Sequence, residues 1–276
     1  SYITLEGGYS PDFKDRNFNN YESTISGEEM GAVTIDKNMV TINGFTISGT
    51  YSENGGGIAI DNACQVVITN NTIKLNSANN GGGISITNNS SFVTISRNTI
   101  SNNNASSGGG IYLDSSSSVV IENNFITDNW STNFGGGIYI IDSSSNITNN
   151  TISNNSSGDC ADGSGVYVES GTIDIKNSII WGNCEGTYTD LYVETLSAVT
   201  VTYSDIGTRN IEIDDTNISE YPQFEYVNNF NTYHITKDSP CIDKGTSDGA
   251  PKYDIDGEQR PYGEGFDIGA DEYYGE

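Results

Sequence analysis

The sequence is poor in basic residues, and this excludes one class of partner. Only 11 Lys and Arg stand against 37 Asp and Glu, which gives a formal net charge of −26. Binding to nucleic acid needs clustered Lys and Arg opposite the phosphates, so we predict no nucleic-acid partner. The same charge repels polyanionic substrates and favours divalent cations as counter-ions.

Apolar residues are also scarce, and they form no long run. Hydrophobic residues make up 34% of the chain, and no stretch of 18 consecutive apolar residues occurs. We therefore predict no membrane span. The chain begins inside a strand-like SYITL without a signal peptide, which we interpret as the start of a processed or trimmed chain. Low hydrophobicity with high charge is typical of disorder, but here the apolar residues recur at fixed positions.

The recurrence has a period of about 26 residues. One column consists of isoleucines in Asn-x-Ile elements, at steps of 26, 27, 26, 26 and 27: Ile47, Ile73, Ile100, Ile126, Ile152 and Ile179. A second column follows runs of glycine, at steps of 26, 27, 27, 28 and 25: Ile58, Ile84, Ile111, Ile138, Val166 and Leu191. Each unit holds three short alternating segments, too short for helices. Such a unit is typical of one coil of a parallel β-helix.

We therefore predict an all-β chain that folds as a right-handed, single-stranded parallel β-helix (a solenoid) of about eight coils. Residues 1–204 form the coils, and residues 205–276 form the last coil and an irregular C-terminal capping tail. Glycine runs mark a recurrent corner. Asparagines stack from coil to coil and bond along the column, which pairs the backbone of the turns; they are Asn71, Asn98, Asn124, Asn150 and Asn177 in one column and Asn76, Asn103, Asn129 and Asn155 in another.

Segments at both ends resemble a known family. They are LEGGYSPDF at 5–13, SPCIDKG at 239–245, DIDG at 254–257 and DIGADEY at 267–273. These segments resemble secreted bacterial right-handed parallel β-helix repeat proteins of the choice-of-anchor Q type. The repeated GGGI and Asn-x-Ile elements are also similar to the repeats of polymorphic outer-membrane adhesins. The resemblance implies a β-helix and export from the cell, and it implies no particular activity.

The outward columns of a β-helix are where function is expected, because the inward columns form the core. After the glycine corner one outward column contains four tyrosines, and the column two residues further on is acidic. This pattern predicts a face that binds glycans or docks another protein, with a purely stabilising surface ladder as the alternative. The candidate binding residues, with two tryptophans near the asparagine corner, are Tyr112, Tyr139, Tyr167, Tyr192, Asp114, Asp142, Glu169, Glu194, Trp130 and Trp181.

Calcium is the candidate cofactor, and the sequence indicates no other. Asp254 and Asp256 in DIDGE resemble a fragment of a calcium loop, although the third ligand and the spaced glutamate are missing. Carboxylates stacked at strand spacing repel one another, and calcium along the acidic column would relieve that repulsion.

Catalysis has little support in the sequence, and we assign no catalytic residue. The single histidine, His234, lies in the tail, where we expect a structural role. A polysaccharide lyase needs a Lys or Arg base, and a glycosidase needs paired carboxylates. The basic residues of the central coils form no cluster: they are Lys74, Arg97 and Lys176. The carboxylates considered for a glycosidase are Asp114, Asp128 and Asp142. The enzyme question stays open.

The four cysteines allow one predicted bridge. Cys160 and Cys184 lie in loops of adjacent coils, and an exported protein keeps such a disulfide. Cys64 and Cys241 are roughly five coils apart, on the order of 25 Å at strand spacing, so they pair within one chain only if the tail folds far back. Two alternatives stay open for them, burial as free cysteines or a link between molecules.

Taken together, these patterns predict a secreted, extracellular or cell-surface protein with a structural or adhesive role, such as a stalk, matrix component or filament subunit. Its partners are then other copies stacked end to end, or glycans of a cell surface or matrix. A carbohydrate-binding or polysaccharide-cleaving module is the alternative. A groove with a tight cluster of unlike titratable groups favours an enzyme, and complementary uncapped ends favour the filament.

Overall fold

The computed structural model describes the chain apart from residues 1, 13, 18–19, 28–30, 32, 161–162, 185–186, 229 and 276. Phe13, in the segment that resembles the opening of the β-helix family, lies outside the described residues. Strands form four parallel sheets, and each central coil contributes one strand to every sheet in turn. The predicted parallel β-helix is confirmed, with about 26 residues between successive coils, but it has about seven coils instead of the eight expected.

Sheets 1 and 2 contain eight strands each. The strands of sheet 1 are Ile3–Glu6, Val40–Asn43, Cys64–Thr69, Ser91–Ser96, Val119–Glu122, Ser143–Thr148, Gly171–Lys176 and Ala198–Thr202. The strands of sheet 2 are Thr24–Ser26, Thr46–Ser48, Thr72–Lys74, Thr99–Ser101, Phe125–Thr127, Thr151–Ser153, Ile179–Trp181 and Asp205–Ile206. They correspond to the Val-x-Ile and Asn-x-Ile segments of the repeat.

Sheets 3 and 4 complete each coil. Sheet 3 consists of a short fourth strand from each central coil, which the pattern of three segments did not predict. Its strands are Tyr51–Asn54, Ser77–Asn80, Asn104–Ser107, Trp130–Ser131 and Ser156–Ser157. Sheet 4 follows the glycine corner, with strands Val33–Ile35, Ile58–Asp61, Ile84–Thr87, Ile111–Asp114, Ile138–Ile141, Val166–Val168 and Leu191–Val193. The helical element among the described residues is a 3-10 turn at Gly158–Cys160. No helix of the described residues is long and apolar enough to cross a membrane.

The core is a stack of aliphatic side chains from sheets 1, 2 and 4. Inward residues of successive coils lie in register, as in Ile58, Ile84 and Ile111, and all three are fully buried. Stacking identical branched side chains at strand spacing fills the interior without voids. A chain with so few apolar residues therefore still buries a continuous core.

Asparagine ladders line two corners of the coil and are fully hydrogen-bonded. The Asn98 side chain donates to the Ile68 carbonyl at 2.9 Å and to Asn124 Oδ1 at 3.1 Å, and the same Oδ1 accepts the Asn98 backbone N–H. The second ladder repeats this arrangement and extends through Asn183 to Asp190. Each amide satisfies turn backbone that would otherwise be buried without a partner.

One coil departs from the sequence alignment by a single residue. The structure pairs Ile152 with Ile180, not with Ile179, because this coil is 28 residues long. Ser178 therefore takes the ladder position that the alignment assigned to Asn177, and its hydroxyl accepts the Asn150 N–H at 3.2 Å. Asn177 instead faces outward and donates to the Thr246 carbonyl of the tail at 2.8 Å.

The glycine corner leaves no room for a side chain. Gly81 has φ of +67°, in the left-handed region that favours glycine. At Gly82 a Cβ atom would lie 2.5 Å from the Asn104 carbonyl oxygen of the next coil. The repeated glycines are therefore required by the close stacking of the coils.

The C-terminal tail divides into a cap and a longer returning segment. Within residues 207–220, Ile211 and Ile213 pack on the open end of the core. Residues 221–275 turn back along the side of the solenoid instead of covering the last coil as expected: the Ala270 N–H donates to Thr151 Oγ1 at 3.1 Å. This segment contains an antiparallel hairpin, Phe224–Val227 with Phe230–Ile235. It lies against sheet 2 and forms the wall of a groove.

Candidate functional site

The four predicted tyrosines form a continuous outward column on sheet 4. Ring centroids are 5.3 Å apart for Tyr112 and Tyr139, 5.5 Å for Tyr139 and Tyr167, and 5.3 Å for Tyr167 and Tyr192, and the rings stack nearly parallel. Tyr139 and Tyr167 are only 8% and 6% exposed. The faces of the inner rings are thus covered by their neighbours, and a sugar ring has no free face on which to stack.

The hydroxyls of this tyrosine column bond to the acidic column of the next coil. Tyr167 donates to Glu194 at 2.7 Å, and Tyr139 donates to Glu169. Burial raises the pKa of Tyr112 to about 12, with the nearby charges of Asp114 and Glu169 adding to the effect. The contacts are those of a stabilising ladder, the alternative that the sequence left open.

Asp142 does not belong to the same acidic column as Glu169. The register places Ile141 beside Asp114, and Asp142 lies one residue further on with φ of 47°. Its carboxylate accepts the hydroxyl of Ser170 at 2.6 Å. The extra residue at this corner moves Asp142 out of the acidic column in which the sequence placed it.

The two tryptophans lie on different faces, and neither extends the tyrosine column. Trp130 is 40% exposed on sheet 3 and lines a cavity together with Cys160 and Cys184. These two cysteines form a disulfide with Cα atoms 5.6 Å apart, whereas Cys64 and Cys241 are free. Trp181 is the last residue of a strand of sheet 2 and faces the returning tail.

Asp254 and Asp256 point to different partners. Asp254 is fully buried, and its carboxylate accepts the backbone N–H groups of Asp256, Glu258 and Glu272 at 3.0, 2.8 and 3.2 Å. Asp256 is exposed and bonds to His234 Nε2 at 2.8 Å. The structure therefore does not bring the two predicted calcium ligands together, and Asp254 organises the loop.

A groove between sheet 2 and the returning tail joins two cavities, and we call it the tail groove. It consists of two cavities of about 460 and 440 Å³ that share Asp128, Asn231 and Tyr233. The first cavity has an aromatic lining that includes Trp181, Tyr221, Phe224, Tyr226 and Phe230. The second has a polar lining that includes Asn70, Arg97, Thr127, His234 and Asp256.

Polar groups at the centre of the tail groove are held in place by the coils. Asp128 accepts the Tyr233 hydroxyl at 2.9 Å and a bond from the Asn154 amide. Burial, together with the Asp128 charge, raises the pKa of Tyr233 above its ordinary value. Burial lowers the pKa of His234, but the bond to Asp256 and the charge of Asp271 outweigh this effect and raise the pKa to about 9. Unlike titratable groups thus share one groove.

Arg97, Asp128 and His234 stand out in the sequence one by one, but no sequence pattern places them together. His234 was expected to be structural, and the hairpin residues Tyr226 and Phe230 were not considered. The period carries no information about them, because the tail has no counterpart in the repeat. The cluster of aromatic residues after Tyr221 was the one signal in the sequence that marked this segment.

Comparison with known proteins supports the fold. The family model described as "Right handed beta helix region" matches residues 31–206, so the chain belongs to the right-handed β-helix family, and the predicted hand is confirmed. No curated protein matches the chain. Among solved structures, the crystal structure of pectate lyase Pel9A is similar at 11% identity and a TM-score of 0.48, covering 99% of this chain and 96% of that one.

Proposed function

We propose that this chain is a carbohydrate-binding, adhesive β-helix module of the cell surface or extracellular space, and that it holds a glycan in the tail groove. The observation that carries the proposal is the pairing of exposed aromatic rings with fixed polar groups along one groove. This is the alternative function that the sequence offered, moved from the tyrosine column to another face. The disulfide supports a location outside the reducing cytosol.

The aromatic cavity supplies surfaces on which sugar rings stack. Phe230 and Tyr226 are 77% and 61% exposed on the hairpin, and Trp181 lines the same cavity from sheet 2. Large apolar rings left in water at a concave surface mark a binding site. A pyranose ring that covers them removes apolar area from water on both sides of the cavity.

The polar cavity supplies hydrogen-bonding groups for sugar hydroxyls. Asn231 and Asp128 lie at the junction of the two cavities, so one chain of sugar residues contacts both. With a net charge of −26 the protein repels polyanions. We therefore propose a neutral glycan as the ligand.

Retention on a panel of immobilised neutral polysaccharides tests this proposal. Phe230→Ala and Tyr226→Ala each weaken binding by about tenfold, since a stacking contact contributes roughly 1–1.5 kcal/mol. Phe92→Ala is the matched control, because Phe92 is 63% exposed on sheet 1 and outside the groove. Equal affinity for all three variants and the wild type would place the glycan elsewhere.

Cleavage of the bound glycan is a second candidate function, favoured by the unlike titratable groups Arg97, Asp128 and His234 in the polar cavity. Asp128 is also one of the carboxylates that the sequence put forward for a glycosidase. The test is release of reducing ends from the retained polysaccharide. Asp128→Asn then abolishes release while binding persists, and absence of release from the wild type leaves a binding module.

The filament that the sequence also predicted has less support, because Ile211 and Ile213 cover one end of the core. The other end exposes Ile3 and Leu5 beside an apolar cavity of about 170 Å³. Negative-stain electron microscopy of native material separates the two models. Isolated short rods agree with a binding module, and filaments with an axial repeat of about 3.4 nm, which corresponds to seven coils at strand spacing, would return the structural role to first place.

A further inference from the structure

We propose that His234, Asp256 and Asp271 form a site for one divalent transition-metal ion, of which Zn²⁺ is the test case. Each residue offers one ligand atom, and the three atoms lie within 4.8 Å of one another. His234 comes from the hairpin, Asp256 from the loop after Asp254, and Asp271 from the DIGADEY segment. The ion would tie together three parts of the returning tail.

The distances need little adjustment for a metal. Ligand atoms at about 2 Å from a tetrahedral ion are about 3.3 Å apart. The 2.8 Å between His234 Nε2 and Asp256 Oδ2 therefore has to lengthen slightly, and the proton of that hydrogen bond leaves to solvent. The longest of the three separations is no more than 4.8 Å, so closing the set requires it to shorten by up to about 1.5 Å, a movement that two side chains share. Asp256 is exposed and has the freedom to make that movement.

Surrounding contacts fix the orientation of two of the ligands. The Ile235 N–H donates to Asp271 Oδ2 at 2.8 Å, and Asp271 is only 6% exposed. The Phe125 ring meets the His234 ring edge-on, with centroids 5.2 Å apart. Such second contacts are typical of metal sites, where they orient the ligands.

The polar cavity of about 440 Å³ gives the site access to solvent, since His234 and Asp256 line it. Further coordination positions are therefore open to water or to a ligand in the tail groove. The site is independent of the proposed glycan function, because a structural ion would hold the tail in place without any glycan.

The ligand types favour a transition metal over the calcium that the sequence suggested. Calcium takes six to eight oxygen ligands, whereas imidazole together with carboxylates suits zinc and its neighbours. Asp254, the other predicted calcium ligand, is engaged by three backbone N–H groups. Of the two predicted calcium ligands, Asp256 therefore remains a candidate metal ligand, together with His234 and Asp271.

The single histidine of the chain makes the test direct. Protein purified without a histidine tag and stripped with chelator is titrated with Zn²⁺, while the imidazole signals are followed by NMR and the bound zinc by equilibrium dialysis. We expect one zinc per chain, with the imidazole signals shifting in step with zinc bound. His234→Gln and Asp271→Asn weaken binding by more than about tenfold, and Asp215→Asn, an exposed carboxylate in the cap, does not.

The outcomes separate a built site from general attraction of cations to an acidic protein. Imidazole signals that do not move, or that move equally with Ca²⁺ and Mg²⁺, would overturn the proposal. Because Asp271→Asn also perturbs a buried contact, Asp256→Asn at the exposed ligand provides the variant that keeps the fold. Unchanged zinc affinity in Asp256→Asn and in His234→Gln would likewise contradict the site.

Discussion

The coils and the returning tail bury polar groups in opposite ways. In the coils the buried polar residues are mainly neutral, and each asparagine bonds to its equivalent one coil away, as Asn98 does to Asn124. In the tail the buried polar residues are mainly ionisable and make contacts that occur once: Asp254, Arg260, Asp267, Asp271 and Glu272 are all less than 7% exposed. In a repeat that stacks on itself, one residue type pairs the buried backbone groups of every coil. A segment without a repeat needs a separate polar contact for each buried group.

This difference has a functional consequence. The coils form a rigid surface with the same residues in the same places, and the tail adds the side chains that occur only once, including the histidine. The tail groove lies where the two meet. We therefore expect the tail to be the less stable part and the part that carries specificity.

Removing the charge of Arg260 should cause the largest loss of stability, and that loss should be confined to the tail. Arg260 Nη1 bonds to Glu272 at 2.8 Å with both side chains fully buried, and loss of one partner of such a pair costs about 3–5 kcal/mol. Arg260→Met should therefore remove hydrogen-exchange protection from the amides of Ile268 and Gly269 while the coils keep theirs.

The control is Lys176→Met, which breaks the exposed ion pair with Asp248 on the same flank and should cost less than about 1 kcal/mol. The double variant Arg260→Met/Glu272→Leu should recover part of the loss, because Glu272 is then no longer a buried carboxylate without its ion-pair partner. If Arg260→Met lowers protection equally in coils and tail, the two regions unfold as one unit.

Asp205 lies at the junction of the last coil and the tail and should make stability depend on pH. Burial raises the pKa of Asp205 from its ordinary value of 3.8 to about 7, and its carboxylate accepts the Glu220 N–H at 3.1 Å. The folded state then binds more protons than the unfolded state across this window, so Asp205 lowers stability as pH rises from about 4 to 7. Asp205→Asn should gain up to about 4 kcal/mol over the wild type across that range.

Urea unfolding at pH 4.5 and pH 7.5 measures this effect as a difference between variant and wild type. Asp215→Asn, which changes an exposed carboxylate in the cap, should show the same difference at both pH values. A gain for Asp205→Asn that does not grow with pH would mean that the carboxyl is ionised at low pH in the folded protein.

Within the coils, Asn124→Ala should cost about 3 kcal/mol, because it leaves several buried backbone groups unpaired. The amide donates to Ile95 and Glu122 carbonyls at 2.9 Å each and accepts the N–H of Asn98. Asn124→Ser should lose less, since Ser178 occupies the same ladder position naturally. Chemical denaturation measures both, with the exposed Asn133→Ala as a control that changes stability by less than about 0.5 kcal/mol.

How much the sequence predicted follows the same division. The coils, their spacing and both ladders followed from the repeat, since one column of isoleucines fixes the register of every coil. The errors came where a coil is longer than its neighbours, at Asn177 and at Asp142. The tail groove was not predicted, because its contacts join residues such as Thr151 and Ala270, 119 positions apart, and no periodicity relates them.

The variant with the smallest expected loss of stability distinguishes the role of the tyrosine column from that of the proposed binding site. Tyr167→Phe removes the 2.7 Å bond to Glu194 and keeps the stacked ring, so it should cost about 1 kcal/mol. Tyr2→Phe, on a residue that is 82% exposed, should cost nothing measurable.

Glycan retention should be unchanged in Tyr167→Phe, in contrast to Phe230→Ala, because Tyr139 and Tyr192 cover the two faces of the Tyr167 ring. Denaturation and retention measured on the same preparations distinguish the two roles. If Tyr167→Phe weakens retention while Phe230→Ala does not, the glycan lies on the regular face of the coils, and the unique side chains of the tail serve stability alone.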